Sequence, residues 1–209
     1  MNNHRFPILT VLIAGVAVLV QSWPGAAEAL QFERGLRGPG EAWRLVTAHL
    51  AHFDWNHLTW DGAVLLALGA VCERESRRRC AAALALAAPA ITIAVGLAAP
   101  QFATYRGLSG LDCALFGLLS GSLLQREAPL AKLAGSLALM AVLAKSAWEM
   151  ANGVTLFANG AGYAPVPLAH LVGAVVGFGT AFATRSAPSS ATPVTTEPDA
   201  SRRARGGTS

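Results

Sequence analysis

The stretch Gly107-Leu108-Ser109-Gly110-Leu111-Asp112-Cys113-Ala114-Leu115-Phe116-Gly117-Leu118-Leu119-Ser120-Gly121 is apolar enough to lie in a bilayer, yet it opens on a serine framed by glycines. Gly110, Ala114, Gly117 and Gly121 recur at i, i+4, i+7 and i+11, so a helix over Ser109 to Leu124 carries a stripe of small residues on one face. Such stripes are where membrane helices bring their backbones close together. A later apolar segment offers a matching stripe, with His170, Gly173 and Gly177 at i, i+3 and i+7. Joining the two stripes brings His170 toward Ser109. Ser109 is expected at a helix N-terminus, beside backbone N–H groups without intrahelical partners, a setting that suits an oxyanion. Gly107 permits unusual dihedrals just before the serine, and Gly110 removes bulk beside it. A serine hydroxyl becomes a useful nucleophile only when a base takes its proton, and His170 is the candidate base.

Outward from this stretch the whole chain is apolar. Of its 209 residues 53% are hydrophobic and 13% charged, a composition of a membrane protein rather than of a soluble domain. A spanning helix needs about 20 apolar residues to cross a hydrocarbon core about 30 Å thick. Six segments qualify: Phe6 to Trp23, His57 to Val71, Ala81 to Ala99, Ser109 to Leu124, Leu133 to Met150 and Pro165 to Thr184. The fold class is therefore an all-α integral membrane protein, a bundle of six transmembrane helices over residues 1–186. A Ser-, Pro- and Thr-rich tail over residues 187–209 is expected to be disordered. Arg5, the Glu73 to Arg79 turn, the Arg126 to Lys132 turn and the tail from Arg185 hold most of the basic residues, which places those segments and both termini in the cytoplasm. His4 and Arg5 before the first apolar run, with Pro24-Gly25-Ala26-Ala27 after it, also resemble a signal peptide, whose removal would leave five spans. The net charge of +4 sits largely in Arg77-Arg78-Arg79 and in Arg202, Arg203 and Arg205, a topology signal that implies no nucleic-acid partner. Cys72, Cys80 and Cys113 match no zinc or disulfide pattern, and no metal or cofactor is implied.

Polar and ionisable groups inside spans are costly and each needs a partner or a role. They are His57 and Asp61, Ser109 and Asp112, Lys145 and Glu149, and His170. Lys145 and Glu149 lie four apart near an outer helix end, where a structural ion pair reaching water accounts for them. His57 and Asp61 also share a helix face and could form a polar pin between helices. Asp112, three residues after Ser109, is read as a structural or water-facing acid rather than as a partner of His170.

Three separated motifs carry a family resemblance over about Leu30 to Thr184. Gly40-Glu41-Ala42-Trp43-Arg44 resembles the Trp-Arg loop motif of rhomboid intramembrane proteases. His52 followed by His57 resembles their paired histidines. Gly107 to Gly110, followed by Ala169-His170, Gly173 and Gly177, resembles their Gly-x-Ser-Gly and Ala-His-x-x-Gly-x-x-x-Gly pair. The resemblance implies a serine endopeptidase with a Ser109–His170 dyad and no required third acid, working on membrane-anchored protein substrates near the outer face of the bilayer. It also implies an oxyanion pocket built from the Ser109 N–H and the His57 side chain, with Asp61, Gly107, Leu108 and Gly110 around it. Two positions depart from the pattern. Asp61 stands where the family commonly has asparagine, so its carboxyl either is protonated and donates, or orients His57. Ala114 replaces a common glycine.

The compact chain and Leu30-Gln31-Phe32-Glu33-Arg34 resemble the rhombosortase subgroup. That implies the bacterial inner (cell) membrane and substrates with C-terminal Gly-Gly sorting segments. Two rival functions fit the same residues: a catalytically inactive relative that binds membrane helices, suggested by Asp61, and a small transporter using Asp61, Asp112 and Lys145 as an ion path.

Overall fold

The computed structural model describes residues 6–35, 38–156 and 164–183. The tail expected at 187–209, and part of the uncharged loop expected at Ala151 to Ala164, lie outside the described residues. Helices dominate: α1 (Ile8–Ser22), α2 (Ala26–Leu30), α3 (Arg44–Thr47), α4 (Trp55–Ala98), α5 (Ser109–Leu124), α6 (Pro129–Asn152) and α7 (Pro167–Ala183). Two strands of two residues each, β1 (Phe32–Glu33) and β2 (Thr104–Tyr105), pair antiparallel in the register Phe32 to Tyr105 and Glu33 to Thr104.

The 44 residues of α4 would reach about 66 Å as one straight helix, about twice a bilayer core. They do not run straight. Ser76 leaves helical geometry (φ −162°, ψ 104°), and its hydroxyl accepts the Arg79 N–H at 3.3 Å, the arrangement of an N-cap starting a new helix. Asp61 on the first arm and Ile91 on the second both come to the Leu108–Gly110 turn, so the arms (residues 55–75 and 77–98) fold back on each other. The sequence suggests a turn over Glu73 to Arg79. The structure condenses it to one residue, because helical geometry persists up to Ser76 and the serine cap restarts it at once. Among the described residues, α4 and α6 are the two helices long and apolar enough to cross a membrane, and α1, α5 and α7 are shorter apolar helices.

Glu73 ties the first arm to α1. Its side chain is fully buried and accepts the N–H groups of Leu9 (3.2 Å) and Thr10 (2.8 Å) and the Thr10 hydroxyl (2.9 Å), with Arg77 at 3.2 Å. A remote carboxylate thereby satisfies N–H groups that an isolated α1 would leave open, and it suits the positive end of that helix's dipole. Arg34 does the complementary work at the end of α4, donating to the carbonyls of Val95, Gly96, Ala99 and Phe102. With the β1–β2 pairing, this holds the segment leading into α5 against the end of the second arm.

α5 packs most extensively against α7. The two stripes of small residues meet. A Cβ on Gly173 would overlap the Gly110 carbonyl oxygen, one on Gly177 the Ala114 carbonyl oxygen, and one on Gly117 the Ala174 carbonyl oxygen. Pairing of early with early and late with late positions shows that the helices run parallel. Their N-terminal residues, Ser109 and His170, therefore lie at the same level.

Large apolar side chains stand on the outward surface as well as in the core. Leu19, Leu97, Leu130 and Val175 are each more than two thirds exposed, a surface stable in lipid and costly in water.

Gly177→Ala should therefore lower the thermal midpoint of the detergent-solubilised protein by several degrees, since overpacking costs about 1–3 kcal/mol. Gly179 is two residues away with open space around it, and Gly179→Ala should leave the midpoint unchanged or raise it slightly. Equal shifts in the two variants would contradict backbone-to-backbone packing of α5 on α7.

Candidate active site

The turn from β2 into α5 sets the position of Ser109. Gly107 has φ +125°, a region that L side chains rarely adopt, and a Cβ there would come 3.0 Å from His57 Cε1 and 3.1 Å from His57 Nε2. Its N–H donates to the Ala48 carbonyl (3.2 Å), and its own carbonyl faces His49 Nδ1 at 3.3 Å. His49 is fully buried and also meets the Ala88 carbonyl through Nε2 at 2.9 Å, so one ring joins this turn to the second arm of α4. In the sequence His49 is one histidine among five, outside the motifs that single out His52, His57 and His170.

Ser109 Oγ and His170 Nε2 lie 3.1 Å apart. That is hydrogen-bonding distance for a hydroxyl and an imidazole. His170 is 4% exposed, and both residues line a cavity of about 940 Å³ together with His57, Asp61 and the apolar Trp60, Phe116, Val142 and Trp148. Cavities of this size can admit an extended peptide segment, and the mixed lining offers apolar surface around a few polar groups.

Asp61 is placed where the serine's neighbouring N–H groups converge. Its Oδ2 accepts the backbone N–H of Leu108 at 3.0 Å and of Ser109 at 3.1 Å. His57 Nε2 lies 3.2 Å from the same oxygen and His52 Nε2 3.5 Å. An oxygen accepting two N–H bonds is not the one that bears a proton, so the protonated donor considered from the sequence does not describe Oδ2. Asp61 and His57 do meet, the contact that the other sequence alternative requires. A carboxylate oxygen thus stands where a negatively charged reaction oxygen would gain the same donors. His57 is fixed from its own backbone as well, through its N–H to Asp54 Oδ1 at 2.8 Å, which caps α4, and Phe53 stacks on its ring at 5.8 Å.

Of the other residues singled out, Gly110 sits under Ala169 and Ile91 at the α5–α7 contact. Trp43 caps α3 and Arg44 is its first residue. Arg44 donates to the Gln31 carbonyl at 2.7 Å and lies over the Trp43 ring at 4.6 Å, which supports β1 rather than the cavity. Asp112 is buried at the cavity wall, and its Oδ1 has no hydrogen-bond partner among the described residues.

The expectation for Lys145 and Glu149 needs correction. They do pair, Nζ to Oε1 at 2.7 Å, but Glu149 does not reach water. Its side chain is 1% exposed, and Oε2 lies 2.9 Å from His170 Nδ1. The reason is the inward face of α6: Gly135, Val142, Ser146 and Glu149 are its buried residues, spaced to turn one side to the bundle.

Replacing Asp61 by asparagine substitutes a neutral acceptor for a charged one, and charge-assisted hydrogen bonds are about twice as strong as neutral ones. Asp61→Asn should make the Leu108 and Ser109 N–H groups easier to claim and raise the rate of fluorophosphonate labelling about tenfold, equivalent to roughly 1.4 kcal/mol. A fall in that rate would mean that the carboxylate assists the reaction instead of competing for the donors.

Residues 39–187, more than two thirds of the chain, match the family model of the Rhomboid domain. No curated protein matches the chain. Members of this family are typically serine intramembrane proteases that act on membrane proteins within the bilayer. With a family match of this length, a site joining a serine to a histidine and a surface suited to lipid, the chain is an integral membrane protein that belongs to the rhomboid family.

Proposed function

We propose that this protein is an intramembrane serine endopeptidase with Ser109 as nucleophile and His170 as its general base. The observation that carries this reading is the 3.1 Å approach of Ser109 Oγ to His170 Nε2 inside a partly apolar cavity. In the proposed reaction Ser109 Oγ bonds to the carbonyl carbon of a substrate peptide and its proton passes to His170 Nε2. The carbonyl oxygen becomes an oxyanion that takes the N–H groups of Leu108 and Ser109, with His57 beside it and the Asp61 carboxylate withdrawn. His170 then gives the proton to the departing amine, and the acyl-enzyme remains until water, deprotonated by the same histidine, releases the second product. General base assistance of this kind is worth about 10²–10⁴-fold, and an oxyanion donor about 10²–10³-fold.

The finer parts of the reading follow from sequence and family. Six helical segments cross the bilayer: α1, the two arms of α4, α5, α6 and α7. Basic residues at Arg77 to Arg79 and Arg126 place both termini in the cytoplasm. The site then opens toward the outer face of the bacterial cell membrane, where it would cut membrane-anchored proteins, with C-terminal Gly-Gly sorting segments as the substrate class suggested by the rhombosortase resemblance.

One observation favours a second reading. Asp61 already occupies the donors that an oxyanion would need, as in a relative that binds membrane helices without cutting them. Co-expression with a transmembrane reporter protein separates the two. The protease reading expects cleavage by the wild type and loss of at least 10³-fold in Ser109→Ala. An intact reporter with both proteins, together with unaltered capture of its helix by Ser109→Ala, would favour the binding reading.

A further inference from the structure

We infer that Glu149 is the positioning residue of the site, holding His170 in the tautomer that leaves Nε2 free to take the Ser109 proton; this rests on the protease reading above. A neutral histidine carries its proton on one ring nitrogen only, and the group facing the other nitrogen decides which. Nε2 faces Ser109 Oγ. Nδ1 faces two groups of opposite demand: Glu149 Oε2 at 2.9 Å, which can only accept, and Lys145 Nζ at 3.4 Å, which can only donate. If Glu149 prevails, Nδ1 bears the proton and Nε2 is a base. If Lys145 prevails, Nε2 bears the proton and cannot take another from serine without a prior shift.

The geometry favours Glu149. It is nearer by 0.5 Å, and the Lys145 ammonium already has its charged partner in Glu149 Oε1 at 2.7 Å. That oxygen also accepts the Leu156 N–H at 3.2 Å, so the carboxylate is held at Oε1 and turns Oε2 to the ring. Oε2 accepts no other hydrogen bond among the described residues. Its contact with Nδ1 has the distance of a hydrogen bond without the alignment, and the terminal torsion of glutamate is broad enough to supply that by a small rotation. When His170 takes the serine proton, the carboxylate lies beside the new positive charge, while the ammonium tempers its effect. The arrangement is a Ser-His-Glu chain drawn from α5, α7 and α6, where the dyad alone is expected from the sequence.

Lys145 makes the test unusually specific. In Glu149→Gln the ammonium attracts the amide oxygen, which turns the amide NH₂ toward Nδ1. That selects the Nε2–H tautomer. The full-length protein in detergent, with ¹⁵N-labelled histidine and a cleavable transmembrane reporter, gives three readouts. The wild type should show the Nδ1–H tautomer at His170, and Glu149→Gln should show Nε2–H. Its kcat should fall at least 100-fold with KM within about threefold of wild type. In Lys145→Leu/Glu149→Gln the ammonium no longer holds the amide oxygen and only the Leu156 N–H competes with Nδ1–H for it, so kcat should recover at least tenfold over the single variant. An Nε2–H tautomer in the wild type would overturn the inference even if the variants did not fold, as would a Glu149→Gln kcat within threefold of wild type. A double variant no faster than the single would overturn it too. Failure of the protease reading looks different: the reporter stays uncut by wild type, or is cut equally by Ser109→Ala.

Discussion

The distance between α5 and α7 governs everything else in this protein. Two helices whose facing positions carry only hydrogen or methyl can bring backbone against backbone, and Gly117, Gly173 and Gly177 do so with no room for a Cβ. Because the helices run parallel, the same contact sets Ser109 and His170 level with each other and 3.1 Å apart. In lipid this closeness is gained through van der Waals packing rather than through expulsion of water. The site is thus a consequence of the packing, and a side chain anywhere along the stripe is felt at its end.

Around that axis, buried polar groups do the work that water does in a soluble protein. Glu73 closes the N-terminus of α1, Arg34 closes the C-terminus of α4, and His49 links the Gly107 turn to the second arm. Each satisfies backbone groups that would otherwise be unpaired in a medium with few alternatives. Asp61 belongs to the same set, since it satisfies the N–H groups of Leu108 and Ser109. Its position gives it a second meaning, because those donors are also the ones a reaction oxygen needs. Holding the turn in order and competing with the substrate are two effects of one contact.

Much of this was legible in the sequence, for reasons of periodicity. Small residues at helical spacing on two segments announced the α5–α7 contact, and a serine at one helix start with a histidine at the other announced what the contact joins. Six apolar segments near the observed helices were legible from composition alone. The rest depended on direction rather than spacing. A lysine and a glutamate four apart read the same whether they point to water or to the core, and only the buried face of α6 decides that Glu149 meets His170. Which oxygen of Asp61 accepts, and from whom, depends on the φ of Gly107 and the course of the turn after β2. The sharp reversal at Ser76 rests on one serine cap, a signal present in the sequence but hidden within a run of charges.

The central claim is that packing of α5 on α7 makes Ser109 a nucleophile through His170. Mapping the covalent adduct of a fluorophosphonate by mass spectrometry on the folded protein, with and without His170→Ala, tests it most directly. The account predicts one modified residue, Ser109, and no modification when His170 is removed. An adduct on another residue, or one on Ser109 that forms equally fast without His170, would contradict it.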